Sequence, residues 1–169
     1  MDASTLLSPW YWVFTAAFWA ASTYFSHGVP FDLMRRASKL GGEDAELCDR
    51  LARRMLAQIE ERMAAGGHAA AALAGFALAA LATAAFAGGA EWALGLLLLL
   101  GPFAVTAAFS LIEARRIHAS LDRIEPERLL TLLWHRRWAN QFAAAMAVAV
   151  AVSVMTVLHR DRLAFMGGF

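Results

Sequence analysis

The chain has 169 residues, 60% of them hydrophobic and 17% charged, with a mean hydropathy of +0.50. Globular domains are roughly 45–50% apolar and about 25% charged, so these proportions exclude an ordinary water-soluble domain. A formal net charge of +1 supplies no single-sign field to attract phosphates, which argues against nucleic acid as a partner.

Residues 6–26 carry no charge and correspond to about 30 Å of helix, enough for one bilayer crossing. Trp10, Tyr11 and Trp12 cluster at one end and Tyr24 near the other, where interfacial aromatic belts sit. Pro9 suits the first turn of a helix, with Ser8 as its cap. No basic residue precedes the stretch, so it reads as an uncleaved span rather than a signal peptide.

A polar segment follows over residues 28–67. His27-Gly28-Val29-Pro30 breaks the first helix, and a short basic helix is expected over 31–40, stopped by Gly41-Gly42. Over 43–65 the pattern is amphipathic. Leu47, Leu51, Met55, Ile59 and Met63 recur every four residues, flanked by Cys48, Ala52 and Leu56. Asp49, Arg50, Arg53, Arg54, Glu60 and Glu61 occupy the other side. The Leu47-to-Met63 stripe is therefore a cytoplasmic interaction face that needs covering. Cys48, the single cysteine, can form neither an internal disulfide nor a thiolate cage.

Span two is expected over 69–87 and span three over 92–112, joined by a tight turn at Gly88-Gly89-Ala90-Glu91. Span two is alanine-rich and marginal alone, so the pair is expected to enter the bilayer as a hairpin. A second polar segment covers 113–137. Helix is expected to continue to about Ile124 and to restart at Glu125-Pro126-Glu127. Span four, 138–158, is expected to end at His159-Arg160-Asp161. Thirteen of the 15 Lys and Arg residues lie in the two polar segments, and Arg160 and Arg162 are the remainder. By the positive-inside rule both segments are cytoplasmic, and four spans then place both termini on the periplasmic side.

The expected fold is therefore an all-α polytopic membrane protein: a single membrane domain over 1–169, a four-helix bundle with cytoplasmic helical extensions. Small-xxx-small stripes mark its packing faces. They are Ala16/Ala20 in span one, Ala71/Gly75/Ala79 in span two and Ala143/Ala147/Ala151 in span four. Gly101-Pro102 predicts a kink in span three, with Thr106 and Ser110 near enough to satisfy freed backbone groups.

Sites for chemistry are sparse. No span carries an ionisable residue near its centre, which disfavours a proton- or cation-coupled pump. His27 and His68, at the cytoplasmic ends of spans one and two, are the haem candidates if they face each other. The aromatic face of span one, with Tyr11, Phe14, Phe18 and Phe25, offers stacking surface for a quinone or pigment as well as for lipid. No catalytic residue, metal ligand set or nucleotide motif is nominated, and no cofactor is assigned. In format the chain is similar to the small four-span membrane subunit of tripartite (TRAP-type) transporters. It carries no motif of that family, and the expected periplasmic N-terminus runs against it.

The leading expectation is a bacterial inner-membrane accessory or scaffold subunit. It would be non-catalytic, with lipid and another membrane protein or a second copy as partners. A small homo-oligomeric channel or transporter is the alternative, and a haem- or quinone-linked subunit the third.

Overall fold

A computed structural model describes residues 8–166. Among them the chain forms five α-helices, one 3-10 turn and one two-stranded ladder. Helix α1 spans Pro9–Tyr24, strands β1 (Phe25–Ser26) and β2 (Val29–Pro30) form an antiparallel hairpin, and α2 spans Phe31–Leu40. The long helices α3 (Gly42–Phe86), α4 (Glu91–Ala119) and α5 (Pro126–Met166) follow, with the 3-10 turn Leu121–Arg123 between the last two. The chain is thus all-α, and three helices are long and apolar enough to cross a membrane: α3, α4 and the Pro126–Leu158 part of α5.

Helix α1 is shorter than expected. Its 16 residues reach about 24 Å, less than the roughly 30 Å of a hydrocarbon core. Residues 6 and 7 of the expected span lie outside the described residues. Ser8 precedes the helix with extended dihedrals but makes no side-chain cap bond, contrary to the expectation for it. The helix ends because the backbone reverses at His27 and Gly28, whose φ values are 48° and 86°. Positive φ at both central residues is what a two-residue type I′ hairpin requires. Gly28 has a second reason to be glycine, since a Cβ there would lie 3.1 Å from the Met55 side chain. Helix α2 stops where expected, with the N–H of Gly41 (φ 64°) returning to the carbonyl of Ala37 at 3.2 Å.

One expected helix boundary is absent. The amphipathic segment and span two form one continuous helix of 45 residues, unbroken at Gly66-Gly67. A glycine in a helix costs only about 1 kcal/mol relative to alanine. A break at the bilayer edge would strand several backbone donors and acceptors, which costs more. Helix α5 continues beyond the expected end of span four, through His159-Arg160-Asp161 to Met166, while its apolar segment ends at Leu158.

The largest core lies in the polar layer. Met34 of α2, Leu56 of α3, and Leu129 and Leu133 of α5 are almost fully buried together, with Ala114 and Ile117 of α4 against them. On α3 the row that enters this core is Cys48, Ala52 and Leu56; Leu51, Met55, Ile59 and Met63 are half-buried beside it, and Leu47 is 46% exposed. The buried row lies one residue round from the predicted stripe. Small residues at 48 and 52 let the backbones approach closely. Arg53 locks the layer: its guanidinium donates to the carbonyls of Leu121 (2.7 Å) and Ile124 (2.8 Å) and to Asp49 (2.8 Å). It thereby ties α3 to the 3-10 turn that follows α4, sharing the Leu121 carbonyl with the Ile124 N–H.

Among the apolar segments contacts are thinner. Trp19, Leu99 and Ala147 form one small buried cluster, and Ala85, Ala93 and Leu94 another. Only 6% of the apolar window of α3 is buried inside the chain, so its surface there is left for lipid or a partner.

Replacing Leu133, fully buried, by alanine is expected to lower stability in detergent by about 2–5 kcal/mol. Leu47→Ala, on the outer row, is expected to change it by no more than about 0.5 kcal/mol. Equal losses in the two unfolding curves would mean that the buried row of α3 is misassigned.

Candidate functional site

The hairpin that ends α1 carries His27 into the interior. Its residue is 7% exposed, and its side chain 1%. Histidine is among the few non-glycine types enriched at positive φ, and such a residue held inside a bundle is a common mark of a functional position. Around it converge Ser110 and Glu113 of α4 and Arg136 of α5. Ser110 Oγ lies 3.5 Å from Nδ1, a long contact, and Glu113 Oε2 lies 4.0 Å from Nε2. The same carboxylate oxygen receives Arg136 Nη1 at 3.4 Å, while Arg136 Nη2 donates to the carbonyl of Thr106.

The electrostatics follow from burial. Loss of water, with the positive charge of Arg136 adding to it, pulls the His27 imidazole from its ordinary 6.5 down to about 4. The ring is therefore neutral near pH 7, and the 4.0 Å approach to Glu113 is not an ion pair there. The carboxylate is shared with Arg136 instead. Burial also lowers the Arg136 guanidinium, opposed by Glu113. A guanidinium begins so high that it keeps its charge.

Neighbouring groups hold the geometry. Ser26 Oγ donates to the carbonyl of Leu133 at 2.9 Å, tying the hairpin to α5. Arg137 Nη1 donates to the carbonyl of Thr23 at 2.7 Å, near the C-terminal end of α1 where a cation is favoured, and its guanidinium lies 3.8 Å from the Phe31 ring centre. Beside the cluster is a half-open cavity of about 290 Å³, lined by Trp19, Phe103, Ile59 and Leu111 together with the polar side chains of Ser22, Thr23, Thr106 and Asn140.

The other nominated residues fall apart from this cluster. His68 is exposed on α3 while His27 is buried, so the two do not form a facing pair. No group of three or more metal-ligating side chains occurs among the described residues. Ala147 and Ala151 are buried and Ala143 half-buried, whereas Ala16, Ala20, Ala71, Gly75 and Ala79 all lie exposed. Pro102 sits inside an uninterrupted α4, with Gly101 half-buried before it; Thr106 Oγ1 donates to the carbonyl of Phe103 at 2.8 Å. Ser110 turns to His27 instead. Of the span-one aromatics, Phe14 and Phe25 are largely exposed, and Trp19 is the ring turned inward. Cys48 is buried in the polar-layer core, where burial and then Asp49 push its thiol upward, so it is a poor nucleophile.

Sequence reasoning missed the assembly of His27, Ser110, Glu113 and Arg136. Its one local signal was a histidine beside glycine at a chain reversal. Compared with family models, curated proteins and solved structures, the chain finds no match in any of the three.

The sign of the pH dependence follows from the His27 shift. The unfolded chain protonates this imidazole near 6.5 and the folded one only near 4, so stability is full above that window and falls as pH drops through it. At about 1.4 kcal/mol per pH unit the loss approaches roughly 3 kcal/mol. His27→Asn, which keeps a residue tolerant of positive φ, is expected to shrink the gap between unfolding midpoints at pH 7.5 and pH 4.5. An unchanged gap would show that His27 is not the group responsible.

Proposed function

We propose that the chain is a non-catalytic accessory or scaffold subunit of the bacterial inner membrane, packing against another membrane protein or a second copy of itself. The observation that carries this reading is the division among its small-residue stripes. The stripe on α5 is used inside the chain, at Ala147 and Ala151, whereas Ala16/Ala20 on α1 and Ala71/Gly75/Ala79 on α3 face outward. Lipid tails are as apolar as leucine, so association in a bilayer relies on close backbone packing, which small outward faces permit.

In this reading α1 is the fourth span, although short. Two contacts support that. Tyr11 Oη donates to the carbonyl of Gly95, near the start of α4, at 3.1 Å. At the other end Thr23 meets Arg137, where α5 leaves the polar layer. Helix α1 thus runs alongside α4 and α5 for the depth of the bundle. The arginine-rich layer is cytoplasmic and both termini are periplasmic, following the bias of basic residues.

Gly75→Leu and Ala79→Leu are expected to abolish association, read by in-membrane cross-linking and by the mass eluted in mild detergent. Ala79→Leu should leave the helix content and unfolding midpoint of the purified chain unchanged. A wild-type protein that runs as a monomer with nothing co-purifying at native expression would overturn the reading.

A further inference from the structure

A groove of about 500 Å³ opens between α4 and α5 where the apolar segments meet the polar layer. The two helices run antiparallel, since Arg136 of α5 meets Glu113 of α4 and Ala147 packs with Leu99. Phe109, Ile112, Glu113 and Arg116 line one wall, at the i, i+3, i+4, i+7 spacing that shares a helix face. Arg136, Ala139, Asn140 and Ala143 line the other wall at the same spacing. Polarity is therefore graded along about 10 Å of helix. Arg116, Glu113 and Arg136 stand at the polar-layer end, Asn140 follows, and Phe109 and Ala143 lie at the apolar end. Phe109 is 63% exposed and Ile112 48%. Trp138, beside Ala139 in the chain, is exposed too, as rings at the headgroup level of a bilayer are.

Three charged side chains line the groove, and two of them cancel. Glu113 Oε2 lies 3.4 Å from Arg136 Nη1, and Nη2 of the same guanidinium is held by the Thr106 carbonyl. Arg115, the neighbour of Arg116, is turned to α3, its Nε 3.1 Å from Glu60. Arg116 itself is exposed and pairs with no carboxylate among the described residues. The groove thus presents one uncompensated positive charge at its polar mouth. Toward the apolar end comes the half-buried Asn140, whose amide can donate twice and has no hydrogen bond among the described residues. The complement is one negative charge, then oxygen acceptors, then an apolar body, in that order toward the bilayer interior. A phospholipid of net charge −1 has this layout in its phosphodiester, ester carbonyls and acyl chains, and basic grooves between membrane helices suit such headgroups. A zwitterionic headgroup would bring an ammonium beside Arg116, with the nearest carboxylate already shared with Arg136. A free anion would leave Phe109 and Ile112 uncovered.

We propose that this groove binds an anionic phospholipid, its phosphate on Arg116, its ester oxygens toward Asn140 and an acyl chain along Phe109 and Ile112. The site needs the polar layer to lie at a bilayer surface. The outward faces of α1 and α3 play no part in it.

The test offers the full chain, in dodecyl maltoside micelles, equal amounts of dioleoyl phosphatidylglycerol and dioleoyl phosphatidylcholine, and counts bound lipids by native mass spectrometry. Wild type is expected to take up one phosphatidylglycerol saturably, in about tenfold preference to phosphatidylcholine. Arg116→Gln should abolish that preference. Arg54→Gln, which removes an exposed arginine elsewhere in the layer, should keep it. Ala139→Leu, which fills the groove from α5, should weaken phosphatidylglycerol binding about fivefold or more. Ala79→Leu, on the outer face of α3, should bind lipid like wild type, which separates this site from subunit association. Equal uptake of the two lipids by wild type would overturn the proposal, as would a preference that survives in Arg116→Gln. An equal loss in Arg54→Gln would do the same, showing a general effect of positive charge, and so would wild-type binding by Ala139→Leu. Displacement of the bound lipid by inorganic phosphate would also overturn it, marking Arg116 as a site for free anions.

Discussion

The hydrophobic effect can gather helices only where water is present, and in this chain that place is the polar layer. Within hydrocarbon an apolar helix gains nothing by leaving lipid for another apolar helix, so the crossings cannot organise themselves by burial. Beside them, Met34, Leu56, Leu129 and Leu133 close into a core drawn from three helices, with α4 adding Ala114 and Ile117. That core fixes where α3, α4 and α5 enter the apolar region and how they are turned. The spans then need only small adjustments, such as Trp19 against Leu99 and Ala147. Arg53 reinforces the layer by binding the carbonyls of Leu121 and Ile124 in the turn between α4 and α5.

The same layer creates the buried cluster. Because the hairpin is held to α5 through Ser26 and Leu133, His27 has nowhere to point except between α4 and α5. There it meets the two charged side chains that α4 and α5 bring to the inner edge of the layer, Glu113 and Arg136. Their mutual compensation lets a charge pair remain inside the bundle, and it leaves neighbouring N–H groups without acceptors. The cavity and its polarity are by-products of fastening the helices at one end.

Much of this was legible in the sequence, for reasons particular to each element. Charge-free runs and the crowding of arginine into two segments identify membrane helices, because desolvating charge in a bilayer is costly at every position. Gly41 ended α2 as expected because its positive φ belongs to the residue itself. What was lost depended on partners distant in the chain. The stripe from Leu47 to Met63 lay one row from the core because apolar residues occupy two adjacent rows of α3; only the close approach of its neighbours selects the row with Cys48 and Ala52. The glycines at 66 and 67 looked like a boundary, yet helix continuity there protects the backbone. Gly67 also leaves room for Met63, whose methyl would lie 2.6 Å from an added Cβ. His27 marked a turn, but nothing nearby in sequence told that its ring would be buried beside residues more than eighty positions away.

If the polar segments form one layer on one side of the membrane, single cysteines within them must share a compartment. Introduced singly in place of exposed Arg54, Arg123 and Ala87, they can be probed with a membrane-impermeant maleimide in intact cells and in inverted vesicles. Positions 54 and 123 should react only in inverted vesicles and position 87 only in intact cells. Labelling of 54 and 123 from opposite faces, or of 87 from the same face as both, would contradict the account.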